Sequence, residues 1–185
     1  MSASTYRLTV AGLVLRPVLS SSSPFPPVLL QWPAKAASEW QGNLATVQGG
    51  LKATETPLGA MRREVARDYR LRNLEIHQLH HRQFVSKATM KEYVWFFIQC
   101  YDHLTLVPNR AEVAETAWYY CPQTLFQATN QMNQGKARMF REVFALACEQ
   151  HPKAFGYYPR YIERFRKKQA RLLERQALAR HLQTA

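Results

Sequence analysis

Hydrophobic and polar positions along the chain follow two patterns, one typical of strands and one typical of helices. Apolar or alternating runs bounded by turn-forming residues predict β-strands, at 6–15, 28–32, 74–79, 81–85, 92–101 and 118–121. Apolar residues at three-to-four spacing, or helix-start signals, predict helices, at 57–69, 130–150 and 160–182. Strands that flank a helix indicate an α+β or α/β fold.

The run from Tyr93 to Cys100 is apolar on both faces. Tyr93, Trp95 and Phe97 alternate with other apolar residues, as in a strand at the centre of a sheet. A membrane-spanning helix needs roughly 20 apolar residues, and no run in the chain approaches that length. We therefore expect a central strand here and no membrane partner.

The first residues of the chain have two interpretations. Residues 6–15 and 28–32, joined by a Ser/Pro-rich loop, predict a pair of strands. The same region contains Arg7, Arg16 and a serine run at 20–23, with no acidic residue before Glu39. That composition also resembles an organellar transit peptide. We predict the strands, and an organelle stays open as the setting of the protein.

Length and charge indicate how many domains the chain forms and which kind of partner it binds. The 185 residues suit one compact domain with a tail, which we divide into 1–150 and 151–185. Lys and Arg number 25 against 13 for Asp and Glu, a net charge of +12. Such an excess favours a polyanionic partner such as RNA, DNA or nucleotide phosphates. The three cysteines are too scattered for a disulfide framework or a zinc site, which favours a reducing compartment.

The segment 48–71 carries the candidate chemistry. The Gly49–Gly50 pair permits a tight loop with positive φ, and the helix predicted after it begins with a proline. On that helix Glu64 and Asp68 are four residues apart and share a face. Carboxylates at this spacing beside a glycine-rich loop are suited to a hard cation such as Mg²⁺.

This segment resembles the signature of the Nudix hydrolases, Gly-x5-Glu-x7-Arg-Glu-U-x-Glu-Glu-x-Gly-U with U aliphatic. The matching positions are Gly49, Glu55, Arg63, Glu64, Val65 and Leu71. The segment is most similar to bacterial RNA pyrophosphohydrolases, and weaker similarity covers roughly residues 5–150. The resemblance implies the Nudix fold, an α+β (α/β/α) sandwich with a mixed sheet flanked by helices. It also implies metal-assisted attack of water on a phosphoanhydride phosphorus.

The resemblance further implies three metal-binding carboxylates, and the corresponding catalytic positions here are Glu64, Arg67 and Asp68. Arg67 cannot bind a metal and stays charged near neutral pH, and Asp68 has a shorter side chain than the family's Glu. Arg70 replaces the family's glycine after the helix, at a cost on the order of 1 kcal/mol if it takes a positive φ. The positions with scaffold roles in the family are retained, and they are Gly49, Gly50, Glu55 and Arg63. We therefore predict a fold that has lost catalysis.

Two other interpretations of this site stay open. In the first, Glu64 and Asp68 hold one Mg²⁺ together with a distal acid, Glu112 or Glu115, and hydrolysis is retained. In the second, Arg67 stands in for the cation and pairs with Glu64 and Asp68 as an internal salt bridge, so that the segment folds without a metal.

The predicted C-terminal helix is strongly basic. Its candidate RNA-binding residues are Arg160, Arg164, Arg166, Lys167, Lys168, Arg171 and Arg175, and tyrosines lead into it. Basic residues beside aromatic ones bind phosphates and stack on unpaired bases. The alternative is a solvated helix that docks through apolar residues such as Ile162 and Leu172.

These features predict a catalytically degenerate Nudix-fold protein that binds RNA or is a structural subunit of a ribonucleoprotein. Nudix-like chains occur in mitochondrial ribosomes and related RNA-processing complexes. The resemblance thus implies ribosomal or messenger RNA and neighbouring proteins as partners, no cofactor, and the mitochondrial matrix as location. The alternative is an active Mg²⁺-dependent hydrolase, of RNA 5′-pyrophosphate or nucleoside-diphosphate derivatives, in a bacterial cytoplasm. A third interpretation is a protein–protein adaptor.

Overall fold

The structure is a computed structural model that describes residues 5–17, 23–34, 43–85, 89–102, 106–164, 166–167, 170–171 and 174. Its strands are β1 (Thr5–Leu15), β2 (Val28–Pro33), β3 (Val47–Gly50), β4 (Leu74–Val85), β5 (Thr89–Cys100) and β6 (Val113–Tyr119). Its helices are α1 (Pro57–Tyr69), α2 (Pro122–Ala128) and α3 (Gln134–Gln150), and a 3-10 turn at Thr129–Gln131 joins the last two. A further helix, α4, covers 158–164 and the described positions that follow.

The six strands form one mixed sheet in the order β4-β5-β1-β2-β6, and β3 pairs with β1 off this path. β1 runs parallel to β5, from Thr5 opposite Thr89 to Leu15 opposite Gln99. The pairs β4–β5 and β2–β6 are antiparallel. The predicted α+β fold, a mixed sheet flanked by helices, is confirmed.

Helices cover both faces of the sheet. α1 packs on one face through Met61, and α3 and α4 pack on the other through Phe144 and Tyr158. β5 lies between β4 and β1 and contributes Phe96 to the first core and Trp95 to the second. The predicted central strand is therefore confirmed. In the part of the chain that the structure describes, no helix combines the length and apolar character needed to cross a bilayer.

α1 begins and ends at the residues that its sequence signals. The Gly59 N–H donates a hydrogen bond to Thr56 Oγ1 at 3.1 Å, and Pro57 follows in the first turn, where its missing N–H costs little. The helix ends at Arg70, whose φ of 58° is left-handed and whose N–H donates to the Ala66 carbonyl oxygen at 3.0 Å. Arg70 therefore takes the positive φ that the resemblance implies for this position.

The Gly49–Gly50 pair lies in strand β3, and the predicted tight loop with positive φ is wrong. Gly49 pairs with Val10 of β1, and Gly50 pairs with Thr9. Among the described residues the only glycine with positive φ is Gly156. A four-residue strand with two glycines has little strand character of its own, so its pairing with β1 defines it.

Several element boundaries differ from the prediction. β4 is one strand rather than two, because a register shift between Gln78 and His80 allows the ladder to continue. β6 occupies 113–119 rather than 118–121, and the helix predicted at 130–150 begins at residue 134 after the 3-10 turn. α4 begins at residue 158 rather than 160, while Lys168 and Arg175 lie outside the described residues.

The division of the chain at residue 150 stays a prediction. Phe155 and Tyr158 lie beyond that point and are fully buried in the core on the α3 side of the sheet. The start of the predicted extension therefore packs as part of the domain.

Candidate functional site

A cleft of about 550 Å³ lies where α1, β3 and β1 meet. Its acidic lining residues are Glu64, Asp68 and Glu112, and its basic ones are Arg7, Lys52, Arg63, Arg67 and Lys136. Gly49 and Gly50 contribute backbone to the same cleft. The structure thus brings most of the sequence-predicted site together, and the distal acid that lines the cleft is Glu112 rather than Glu115.

The contact between β3 and α1 requires a glycine at residue 49. A Cβ built on Gly49 would overlap the carboxyl group of Glu64, whereas the nearest atom to a Cβ on Gly50 is 3.7 Å away, on Arg7. The backbone of β3 therefore lies directly against the Glu64 side chain. The family signature correctly marks residue 49 as a glycine position. The reason is the close approach of the Glu64 side chain to the backbone, rather than a backbone conformation that only glycine adopts.

Arg63 joins the loop after β3 to α1. Its Nε and Nη2 donate to the two carboxylate oxygens of Glu55, each at 2.8 Å, and Nη2 also donates to the Gly50 carbonyl oxygen at 2.9 Å. Its Nη1 donates to Glu64. The hydrogen bond from Arg63 lowers the pKa of Glu55 to about 2. A bidentate arginine–carboxylate pair fixes the relative orientation of the two side chains as well as adding charge attraction. The loop is therefore held against the helix.

Arg67 lies among three carboxylates. Its Nη2 forms an ion pair with Glu64, its Nε donates to Asp68 Oδ1 at 2.8 Å, and Nη2 is 3.7 Å from Glu112 Oε2. The side chains of Glu64 and Asp68 are 2% exposed, and that of Arg67 is 37% exposed. The guanidinium therefore caps two buried acids from the solvent side of the cleft. This is the internal salt bridge that the sequence leaves open as one of three interpretations.

Burial and charge act in opposite directions at these groups. Burial raises the pKa of Asp68 to about 6, although the hydrogen bond from Arg67 lowers it. Burial lowers the pKa of Arg67, but the hydrogen bond to Asp68 and the charges of Asp68, Glu64 and Glu112 outweigh it, so the pKa is raised. Arg67 therefore stays a cation and supplies the positive charge that these carboxylates face.

The divalent ion that the resemblance implies does not fit this arrangement. An ion on Glu64 and Asp68 would lie beside a fixed guanidinium, with a repulsion of several kcal/mol or more at about 4 Å and intermediate dielectric. In the described ranges, no three His, Cys, Asp or Glu side chains are grouped so as to hold a metal. Magnesium on Glu64, Asp68 and Glu112 stays a prediction, and it requires Arg67 to leave its present contacts.

Several residues of the cleft are not among the site residues that the sequence predicts. Arg7 and Thr9 line the cleft from β1, and their alternation with apolar neighbours is the signal that could have marked a polar face on that strand. Lys136 reaches the cleft from α3, where its Nζ donates to Gln48 Oε1 at 3.4 Å. No local pattern marks Lys136, because only the fold brings α3 to the cleft.

The described basic residues of α4 lie apart from the cleft. The exposed ones are Arg160, Arg164, Arg166, Lys167 and Arg171, and none of these five lines the cleft. Arg166 pairs with Glu149 at 3.2 Å, and Lys167 pairs with Glu163 at 2.6 Å. Among the described residues, the cleft and the helix are therefore separate basic regions.

The sequence profile of the NUDIX domain matches residues 6–143. The chain belongs to the Nudix family. No curated protein is significantly similar to this Nudix chain in sequence.

Solved structures agree with the family assignment at the level of fold. A Nudix hydrolase from M. smegmatis, RenU, is 23% identical, with 74% of this chain and 84% of that chain covered and a TM-score of 0.56. The C. elegans Ap4A hydrolase in a binary complex is 13% identical, covers 77% and 98%, and has a TM-score of 0.59. The NUDIX domain of Shewanella oneidensis NrtR, complexed with ADP ribose, is 15% identical, covers 76% and 86%, and has a TM-score of 0.57. These values show that the Nudix fold is shared.

Proposed function

We propose that this Nudix domain binds RNA without hydrolysing it and serves as a subunit of a ribonucleoprotein. The observation that carries the proposal is the position of Arg67, which contacts Glu64, Asp68 and Glu112. The protein's own cation therefore lies among these acids, at the place where a metal ion would bind. The loss of catalysis follows from the chemistry of the guanidinium.

Arg67 cannot replace the chemistry of a hydrolytic site. A guanidinium only donates hydrogen bonds and keeps its proton, so it stabilises a phosphate but removes no proton from water. The carboxylates most suited to act as a base, Glu64 and Asp68, are buried and paired with arginines. Among the described residues that line it, the cleft therefore retains cations that bind a phosphate, whereas its two buried acids are paired with arginines and are not free to activate the attacking water.

Charge supports RNA as the ligand. The chain has a net charge of +12, and Arg7, Lys52 and Lys136 line the cleft beside Arg67. The exposed cations of α4 form a second basic region on the same molecule. Release of counterions from RNA makes such surfaces favourable for phosphate binding. A subunit that contacts ribosomal or messenger RNA, and proteins beside it, uses both regions.

A mitochondrial setting belongs to the same proposal. Its support is the family resemblance to Nudix-like subunits of mitochondrial RNA complexes, because the acid-free segment before Glu39 forms core strands β1 and β2 and is not an import segment. The three cysteines are free thiols, as expected in a reducing compartment. A ribosome or an RNA-processing complex of the mitochondrial matrix fits these features, and a bacterial cytoplasm is the alternative location.

The decisive experiment incubates the full chain with 5′-triphosphorylated RNA and Mg²⁺ or Mn²⁺, and measures released pyrophosphate and phosphate. We expect no release above the protein-free background. Release that Glu64→Gln abolishes would overturn the proposal and establish the active Mg²⁺-dependent hydrolase. The same assay with nucleoside-diphosphate derivatives covers the other substrate class of that alternative.

Metal binding gives an independent measurement on the same site. Arg67→Glu restores the missing carboxylate and removes the cation, so we expect it to bind Mn²⁺ in calorimetry more tightly than the wild type. Arg62→Glu is the matched control, because Arg62 is an exposed residue of α1 and the charge change is the same. Equal Mn²⁺ affinity for wild type and Arg67→Glu would contradict the assigned role of Arg67.

A further inference from the structure

We propose that Tyr157, Tyr120 and the exposed basic face of α4 form a binding site for single-stranded RNA. Bases stack on the two tyrosine rings, and phosphates bind to Arg160, Arg164 and Arg171. The inference rests on the proposed RNA-binding function and names the surface and the form of RNA. The site lies outside the cleft, whose lining includes none of these residues.

Tyr157 presents its ring to solvent from a fixed backbone. Tyr157 is 51% exposed, although its neighbours Phe155 and Tyr158 are fully buried. The Tyr157 N–H donates to the Pro24 carbonyl oxygen at 3.2 Å, and its own carbonyl oxygen accepts from the Tyr161 N–H at 3.1 Å. Because these bonds and the buried neighbours hold the backbone, the exposed ring needs little ordering before a base stacks on it.

A cation lies over this ring. The guanidinium carbon of Arg160 is 5.2 Å from the centre of the Tyr157 ring, within the range of a cation–π interaction. Because Arg160 covers one face of the ring, the proposed base stacks on the other face, and the guanidinium stays beside that nucleotide as a donor to its phosphate. A planar aromatic surface next to a charged donor is the combination that proteins use to bind unpaired nucleotides.

Tyr120 adds a second exposed ring, on a residue whose backbone contacts the same segment as that of Tyr157. Residue 120 is 56% exposed. Its carbonyl oxygen accepts a hydrogen bond from Ser23 Oγ at 3.2 Å, and the next residue, Pro24, is the one that accepts from the Tyr157 N–H. The backbones of Tyr120 and Tyr157 are thus both hydrogen-bonded to residues 23–24, an arrangement that suits two bases of one strand.

The basic residues continue from Tyr157 along one face of α4. Residues 157, 160, 164, 167 and 171 recur at three-to-four spacing, which places them on a single helix face, and each is exposed. The opposite face carries Tyr158 and Ile162, which pack against the core. In the part of the chain described, Arg160, Arg164 and Arg171 have no salt-bridge partner, so their charges are available to phosphates.

The exposed rings favour single-stranded RNA over other polyanions. A basic helix face alone would suit an acidic protein or a duplex equally well, because both present charge without free bases. Between a duplex and a single strand, two exposed tyrosines favour the single strand, because only an unpaired base can stack on them. The arrangement therefore predicts a ligand with both phosphates and accessible bases.

The test measures the affinity of the full chain for a fluorescein-labelled 12-nucleotide oligouridylate by fluorescence anisotropy. We expect Tyr157→Ala to weaken binding about tenfold, since one stacked base is lost, and Tyr157→Phe to bind like the wild type because the ring remains. Arg160→Ala combined with Arg164→Ala is expected to reduce the slope of log affinity against log salt by about 1.4. Arg62→Ala, on the opposite side of the sheet, is the control for charge.

The outcomes separate this site from the broader function. If the wild type binds the oligonucleotide and Tyr157→Ala is unchanged, this site is wrong while RNA binding stands. If the wild type binds neither single-stranded nor duplex RNA, both proposals fail together. Equal affinity for duplex RNA, or equal competition by polyglutamate, would overturn the role of base stacking and favour a partner recognised through charge alone.

Discussion

Arg67 holds two buried acids that have few other partners. Replacing Arg67 with Ala leaves Asp68 without its guanidinium and leaves Glu64 with Arg63 alone. We expect a loss of about 2 kcal/mol in the free energy of unfolding, discounted from the value for a fully buried pair because Arg67 is partly exposed. Urea denaturation followed by circular dichroism measures it. Arg62→Ala, on the exposed side of α1, should change stability by less than about 0.5 kcal/mol.

Gly49 and Gly50 offer a matched pair of substitutions. A methyl group on residue 49 overlaps the Glu64 carboxyl group, whereas residue 50 has room for it. We expect Gly49→Ala to destabilise the protein by about 2 kcal/mol through overpacking, and Gly50→Ala to be close to neutral. If both variants unfold at the same urea concentration as the wild type, the direct contact between β3 and Glu64 is wrong.

The ion pair between Glu55 and Arg63 makes the stability of the protein depend on pH. The pKa of Glu55 in the folded protein, about 2, lies below the ordinary value of 4.5 for this side chain, and the Arg63 hydrogen bond is the main cause. A carboxyl group whose pKa is lowered by folding stabilises the folded protein at pH values above its pKa in the unfolded chain. That contribution is lost as pH falls from about 4.5 towards 2. We expect the urea midpoint of the wild type to fall over this window more than that of Glu55→Gln. Parallel pH profiles for the two proteins would contradict the pairing.

The end of α1 carries a local strain that a single substitution relieves. Arg70 has a φ of 58°, and glycine adopts that conformation without the steric penalty of a Cβ. We expect Arg70→Gly to stabilise the protein by about 1 kcal/mol, measured as a rise in the melting temperature. The same change at Arg62, inside the helix, should destabilise by about 1 kcal/mol. A loss of stability in Arg70→Gly would mean that the arginine side chain has a compensating contact.

Elements with a strong local pattern were predictable from the sequence, and elements defined by a distant partner were not. α1 has a threonine cap and a proline start, and β5 is apolar on both faces, so each is visible in its own residues. β3 has four residues and two glycines, and it exists as a strand because β1 pairs with it. The register shift that makes β4 a single strand likewise depends on β5.

The residues of the candidate site likewise fall into those predictable from local sequence and those that only the tertiary structure brings together. Glu64, Arg67 and Asp68 lie on one helix, so spacing alone placed them together. Arg7 and Lys136 come from opposite ends of the domain, and they meet at the cleft through sheet pairing and the packing of α3. Charge composition indicates that such residues exist, but only the tertiary structure selects which ones line the cleft.

The core of the domain extends past residue 150. Phe155 is fully buried against Phe97 and Phe144, so Phe155→Ala should destabilise by about 3–5 kcal/mol through loss of packing and a cavity. Tyr157→Ala, two residues later and exposed, should leave stability within about 0.5 kcal/mol of the wild type. Thermal denaturation of both variants compares them, and equal melting temperatures would place Phe155 outside the core. A truncation before residue 155 would remove this packing, so point variants are the safer test of the basic helix.

The parallel pairing of β1 with β5 has a consequence for how the chain is made. β1 ends at residue 15 and β5 ends at residue 100. β2 and β3 can pair with β1 early, but the edge of β1 that pairs with β5 stays open until more than half of the chain has been synthesised. Pairings this distant in sequence slow folding, often into the millisecond-to-second range, and unpaired strand edges promote aggregation meanwhile. The sequential β4–β5 hairpin has the shorter loop to close, and we expect it to form first and to serve as the template on which β1 completes the sheet.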